Sequence, residues 1–219
     1  VHTGIVTKTD DTRARLIEDA ERLFAERGVN AVSLREIASA AGQRNTSAVA
    51  YHFGTKENLV TAIYRHRLGP TNELQLRRLA ELDDQGRGKD LHALIEVFVR
   101  PMIERLERPS WFLRFVANAL YVERVAPYDL GAEEWTRALH QLITRISACI
   151  DELPAPVRAH RLEFFIGLFV HTLAHHERQI QLGRGARTAA DRELLAADLV
   201  DAAVAVLTAP VSSATLDKL

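Results

Sequence analysis

Apolar residues recur three and four positions apart along the chain rather than alternately, and no Asn-Gly or Asp-Gly hairpin signal occurs, so the pattern predicts an all-α protein. Leu16, Ile17, Ala20, Leu23 and Phe24 make one stripe on a first helix over about 12–28, with Gly28 suited to a left-handed C-cap. Ser33 followed three residues later by Glu36 has capping-box spacing, which predicts a short second helix over about 34–41 that stops at Gly42. A third helix is expected after Asn45 or Thr46, either able to cap it, and ends near Phe53 and Gly54. Thr55 then caps a fourth helix carrying Leu59, Ile63 and Tyr64.

Gly69-Pro70 predicts an interruption of that fourth helix and a seam between two domains, residues 1–68 and 69–219, because proline disfavours helix in the residue before it. Beyond the seam, amphipathic stretches are expected over about 74–82, 91–106 with Pro101 inside, 109–125, 133–151, 156–182 and 188–208, giving about nine helices in all. Residues after Pro210 read as a frayed tail.

Composition narrows the class without naming a task. With 219 residues, 47% hydrophobic and 26% charged, the chain is long and apolar enough for a real core, and no apolar run approaches the roughly 18 residues of a membrane span. The single cysteine, Cys149, can form no internal disulfide and cannot by itself hold zinc, and residues 1–11 show no apolar leader region, so the cytoplasm is the expected compartment. A net charge of −1 is uninformative, but its distribution is not. Residues 35–67 carry five basic side chains (Arg35, Arg44, Lys56, Arg65, Arg67) against two acidic ones (Glu36, Glu57), with His52 and His66 besides.

Short helix, turn, short helix, with a basic flank, is the geometry of a helix-turn-helix that reads the major groove of DNA. Ala38, Ala41 and Gly42 permit close helix approach, while Ile37, Val49 and Phe53 supply a small core. Thr46, Ser47, Ala50 and Tyr51 are then left to face a groove. Arg44 is suited to a bidentate contact with guanine, and Tyr51, His52 and Lys56 to phosphate. The helix start at Ser33 offers backbone N–H groups to phosphate as well. The run from Ser33 to Tyr64, with Ile37-Ala38, Ala41-Gly42, Tyr51-His52-Phe53, Lys56 and Leu59, resembles the DNA-binding domain of the TetR family of transcriptional regulators. By position, the resemblance implies Arg35 and Arg44, Asn45, Thr46 and Ser47 at the major groove, and Tyr51, His52 and Lys56 at phosphates. It also implies a homodimer, a double-stranded DNA operator as partner, and an unidentified small-molecule effector bound by the C-terminal domain. A ligand-responsive repressor with no enzymatic activity, no cofactor and no membrane association is therefore expected.

The C-terminal residues support this reading in outline. The helix over about 157–182 is apolar on two faces, with Leu162, Phe165, Ile166, Phe169 and Leu173 on one and Phe164 and Leu168 on another. With the helix over about 190–208 it is the expected dimer surface. Trp111, Phe115, Tyr121 and Trp135, with His140 and His171 as polar contacts, are the candidate effector residues. His171 and His175 lie one helical turn apart with Glu177 near, so a metal-dependent hydrolase is the alternative from another class, against which Thr172 stands where a zinc-protease helix needs glutamate. A constitutive DNA binder or activator without an effector is the other alternative.

Overall fold

The computed structural model describes residues 8–43, 45, 47–107, 110–121, 133–185 and 188–219. Every regular element among them is helical: α1 (Lys8–Arg27), α2 (Leu34–Ala40), α3 (Ala48–Phe53), α4 (Lys56–Asp84), α5 (Leu91–Glu104), α6 (Phe112–Tyr121), α7 (Arg137–Ala148), α8 (Ala155–Gln181), α9 (Ala189–Thr208) and α10 (Ser213–Leu216). Short 3-10 turns follow α5 at Arg105–Glu107 and precede α7 at Glu134–Thr136. None of the described helices is long and apolar enough to cross a membrane.

Local signals explain most boundaries. The Gly28 N–H reaches the Phe24 carbonyl at 2.9 Å to close α1, and the Thr55 hydroxyl accepts the Asn58 N–H at 3.2 Å to open α4. Asp90 opens α5 by accepting from the Ala93 N–H at 3.1 Å, and Thr188 with Asp191 forms a capping box on α9. α1 begins at least as early as Lys8, ahead of the expected start, and Ser212 caps a short exposed α10 where a frayed tail is expected.

Gly69-Pro70 does not interrupt α4, which runs unbroken for 29 residues. A proline inside a helix costs about 3 kcal/mol through its missing N–H and ring crowding. Here Pro70 is exposed while Leu59, Val60, Ile63 and Tyr64 before it and Thr71, Asn72, Gln75 and Leu79 after it are buried. Several apolar side chains, each contributing about 1.5–3 kcal/mol on burial, outweigh the local penalty.

The chain packs as two compact units, Val1–Gly69 with Trp111–Gly131 and Pro70–Ser110 with Ala132–Leu219. In the first, Leu16, Ile17, Ala20 and Phe24 of α1 meet Ile37 and Ala38 of α2, Val49 and Phe53 of α3, and Leu59, Ile63 and Tyr64 of α4, all buried. α6 packs along α1, with Phe115 at 5.1 Å from Tyr64 and 6.2 Å from Phe24 between ring centroids. Glu21, 1% exposed, ties three elements together: its carboxylate accepts from Arg67 of α4 at 2.6 and 3.0 Å and from the Trp111 backbone N–H, just ahead of α6, at 3.3 Å. In the second unit α5 packs against α9 and α7, and α8 against α9. Phe98 of α5 lies 5.1 and 4.8 Å from Phe165 and Phe169 of α8. Asn72 accepts from the Ala138 N–H at 2.8 Å, and Gln75 donates to the Val97 and Phe98 carbonyls at 3.3 Å, so these two buried side chains of α4 are hydrogen-bonded.

Candidate nucleic-acid interface

α2 is a seven-residue helix held at both ends by its own sequence. Ser33 and Glu36 exchange a full capping box, with the Glu36 carboxylate accepting the Ser33 N–H and hydroxyl, both at 2.8 Å, and the Ser33 oxygen accepting the Glu36 N–H at 3.2 Å. Arg27 adds a 2.8 Å ion pair to the same carboxylate. Chiefly through the Ser33 N–H, then the Ser33 hydroxyl and Arg27, the Glu36 carboxyl is held at about 2. At the other end Gly42, at φ +69°, sends its N–H to the Ser39 carbonyl while Gln43 reaches Ala38 at 2.9 Å, which is a Schellman closure. That turn sends the chain toward α3.

α3 starts after a second local device, the Asn45 side chain accepting the Ser47 N–H at 2.9 Å. Ser47 itself makes no side-chain cap. Val49 and Phe53 bury one face of α3, and Asn58 donates to the Phe53 carbonyl at 3.0 Å to close its end. The other face is open, with Tyr51 82% exposed and its ring edge-on to His52. An aromatic hydroxyl this bare on a short polar helix face has no role in the core and is placed for an external acceptor.

Several expected contacts take definite positions. Arg35 is exposed, with no carboxylate in ion-pair range among the described residues. Asn45 and Ser47 are exposed in the turn between the helices, and His52 is half-buried. The Ser33 hydroxyl is committed to Glu36. The Lys56 ammonium donates to the Val29 carbonyl at 3.1 Å, clamping the end of α1 to the start of α4 with one of its three donors. Arg44 and Thr46 lie outside the described residues. Arg67, one of the five basic side chains over residues 35–67, turns inward to Glu21, because a buried carboxylate requires a cation. Arg13 of α1 is absent from the expected set, yet its guanidinium lies over the Phe53 ring at 5.1 Å from the centroid. No charge signal in the sequence marks it, since α1 carries five basic residues against six acidic ones.

The candidate effector residues divide between the units. Phe115 is a core residue of the first, packed among Phe24, Tyr64 and Phe112. Trp111 is half-buried with the Arg114 guanidinium 4.9 Å from its ring, and the Tyr121 side chain lies outside those described. In the second unit the His140 Nδ1 pairs with the Thr136 carbonyl at 2.9 Å, and His171 is exposed. Trp135 is buried with its indole N–H lacking an acceptor among the described residues. A separate cleft of about 730 Å³ is lined by Asp83, Gly88, Lys89, Leu91, Arg145 and Cys149, where burial pushes the Cys149 thiol up. The hydrolase alternative lacks a site, since His171 and His175 are exposed while Glu177 is buried, and no group of three metal-ligating side chains converges among the described residues. His176, beside them, is held below the usual imidazole range by burial and then by His175.

A capped helix, a Schellman turn and a second helix with one bare polar face define a helix-turn-helix protein of the all-α class. Residues 16–63 match the family model for bacterial regulatory proteins of the tetR family, and residues 96–205, half of the chain, match that of a tetracyclin repressor-like C-terminal domain. The chain belongs to the TetR family, a family of transcriptional regulators rather than enzymes. It is 33% identical over 104 residues to the HTH-type transcriptional repressor AcnR of Corynebacterium glutamicum, covering 48% of this chain and 47% of that protein. It is 35% identical over 129 residues to the HTH-type transcriptional repressor Rv3405c of Mycobacterium tuberculosis, covering 58% and 66% respectively. The matches thus span between about half and two thirds of these relatives. Among solved structures, HlyIIR, a hemolysin II transcriptional regulator, is similar over 93% of this chain and 100% of that one, with a TM-score of 0.53 and 17% identity. The regulator PfmR of Thermus thermophilus is similar over 95% and 100%, with a TM-score of 0.52 and 18% identity. Both are likenesses of fold.

Proposed function

We propose that this chain is a ligand-responsive transcriptional repressor that binds a palindromic operator in double-stranded DNA as a homodimer in the cytoplasm. The bare face of α3 carries the reading: an 82% exposed Tyr51 beside His52, on a helix fixed by Val49 and Phe53 and introduced by the turn at Asn45 and Ser47. Arg44 reads base edges while Tyr51, His52 and Lys56 hold the phosphate backbone, and Arg35 adds charge at the groove. Residues 1–68 form the reader and residues 69–219 the effector and dimer portion, with α6 packing on α1 of the reader.

The dimer forms through α8 and α9, over about 157–182 and 190–208. Phe165, Phe169 and Leu173 are consumed by the core of their own unit, whereas Phe164, 57% exposed and stacked with His160, and Leu194 of α9, 71% exposed, are open to a second copy. Two-fold symmetry then sets two copies of α3 about 34 Å apart, one turn of DNA. The effector site includes Trp135, whose buried indole N–H requires an acceptor that a ligand oxygen would supply. The effector acts by favouring one conformer, and its coupling to DNA affinity is reciprocal, typically about 1–3 kcal/mol.

Fluorescence anisotropy on DNA flanking its own gene, against scrambled DNA of equal length across a salt series, tests the proposal. Salt-sensitive binding that strongly prefers the flanking DNA is expected. No binding to either at low salt overturns it.

A further inference from the structure

We propose that Arg13, on α1 and outside the helix-turn-helix itself, is a phosphate contact of the DNA-bound state, held in place by the Phe53 ring. The inference rests on the DNA-binding reading above and extends the interface to a helix that the motif does not include.

Several arginines of the first unit are already neutralised by carboxylates. Arg15 pairs with Asp11, Arg22 with Asp19 at 2.9 Å and Glu26 at 3.4 Å, Arg27 with Glu36 at 2.8 Å, and Arg67 with buried Glu21 at 2.6 Å. Arg13 shares α1 with three of these arginines, yet it is exposed and has no carboxylate within ion-pair range among the described residues. Its guanidinium rests instead on Phe53, an attraction that orients the side chain without cancelling its charge. Phe53 is the last residue of α3, directly after Tyr51 and His52, and its carbonyl is anchored by Asn58 at 3.0 Å. The platform under the guanidinium is therefore rigid and belongs to the same helix that presents the proposed phosphate ligands.

An arginine is the residue most suited to a phosphate oxygen pair, and its cost in lost rotamer freedom falls when the planar fork is pre-oriented. A second possibility at the same position is an arginine that only packs on an aromatic ring. The two differ in salt dependence, because only a phosphate contact releases a counterion, contributing about 0.9 to the slope of log K against log salt.

The test is anisotropy with specific and scrambled DNA from 50 to 200 mM salt, using wild type, Arg13→Ala, Arg13→Lys and Arg15→Ala, with circular dichroism to verify folding. Arg13→Ala removes one phosphate contact from each of the two subunits, so it is expected to weaken binding to both DNAs and to lower the slope by about 1.8, making its affinity loss at 50 mM exceed that at 200 mM by about 12-fold. Arg13→Lys, which keeps the charge, restores the slope. Arg15→Ala removes an equal charge that Asp11 already neutralises and leaves the slope within about 0.3 of wild type. An unchanged slope for Arg13→Ala in a wild type that binds DNA overturns the proposal, as does an equal slope loss in both alanine variants. A wild type that binds neither DNA overturns the underlying DNA-binding reading instead.

Discussion

Glu21 is the residue whose removal most directly tests how the first unit is held together. Its carboxylate, 1% exposed, accepts two guanidinium hydrogen bonds from Arg67 and the backbone N–H of Trp111, so Glu21→Ala strips a buried cation of its partner and orphans a main-chain donor. Breaking a buried pair costs roughly 3–5 kcal/mol. Arg67 keeps 22% of its side chain exposed, and water there softens the penalty, so about 2–4 kcal/mol is expected. For a chain of this size each kcal/mol lowers the melting midpoint by about 2–4 °C, which places the variant roughly 5–15 °C below wild type by calorimetry. Glu21→Gln retains an acceptor for the Trp111 N–H and should lose about half as much. Glu21→Leu combined with Arg67→Met removes both charges and should recover most of the loss, because two well-packed apolar groups leave nothing unpaired. A Glu21→Ala midpoint within about 2 °C of wild type, or a double variant no better than the single one, refutes the assignment of the pair as a structural clasp.

Three further outcomes follow from residues already placed. Glu36, held at about 2 against an ordinary 4.5, stabilises the fold fully above about pH 4.5 and loses that contribution as pH falls toward 2; Glu36→Gln should therefore melt below wild type at pH 7, with the gap closing by pH 2.5, and a gap independent of pH would contradict the capping account. Tyr51→Phe should leave the melting midpoint unchanged and weaken specific and random DNA alike by about 3- to 10-fold, whereas Arg44→Ala should cost about 1–3 kcal/mol on the specific site and relax discrimination; equal losses for Arg44→Ala on both DNAs would remove it from base readout. Phe164→Arg places a charge on the open face of α8 and should yield a folded monomer by analytical ultracentrifugation, while a persistent dimer would move the interface elsewhere.

Features written within a few residues of one another were legible in the sequence. The Ser33–Glu36 box, the closure at Gly28 and the cap at Thr55 depend on backbone geometry over three or four positions, and a single sequence displays them in full. Features that need a distant partner were not. The continuity of α4 through Pro70 follows from side chains buried on both sides of it, and burial cannot be counted before the fold is known. Arg67 looks like part of a basic flank because its counter-charge, Glu21, lies 46 positions away. Phe112 and Phe115 show the spacing of a helical face without showing whether a ligand or the rings of Phe24 and Tyr64 will cover it. Trp135 and His140 are candidate effector residues by type, but only the fold separates an imidazole paired with the Thr136 carbonyl from an indole N–H with no acceptor among the described residues.

The brevity of α3 bears on the thermodynamics of recognition. Six residues allow barely one and a half turns, too few to offset the cost of nucleating a helix, and Ser47 adds no side-chain cap. Its order is borrowed from Val49 and Phe53 in the neighbouring core and from Asn58 at its end. The proposed reading element thus owes its order to the core behind it and holds its shape before any groove is met. Loosening Val49 or Phe53 would therefore add an ordering cost to the binding of every DNA sequence alike, whereas discrimination between operators is left to the exposed side chains of α3.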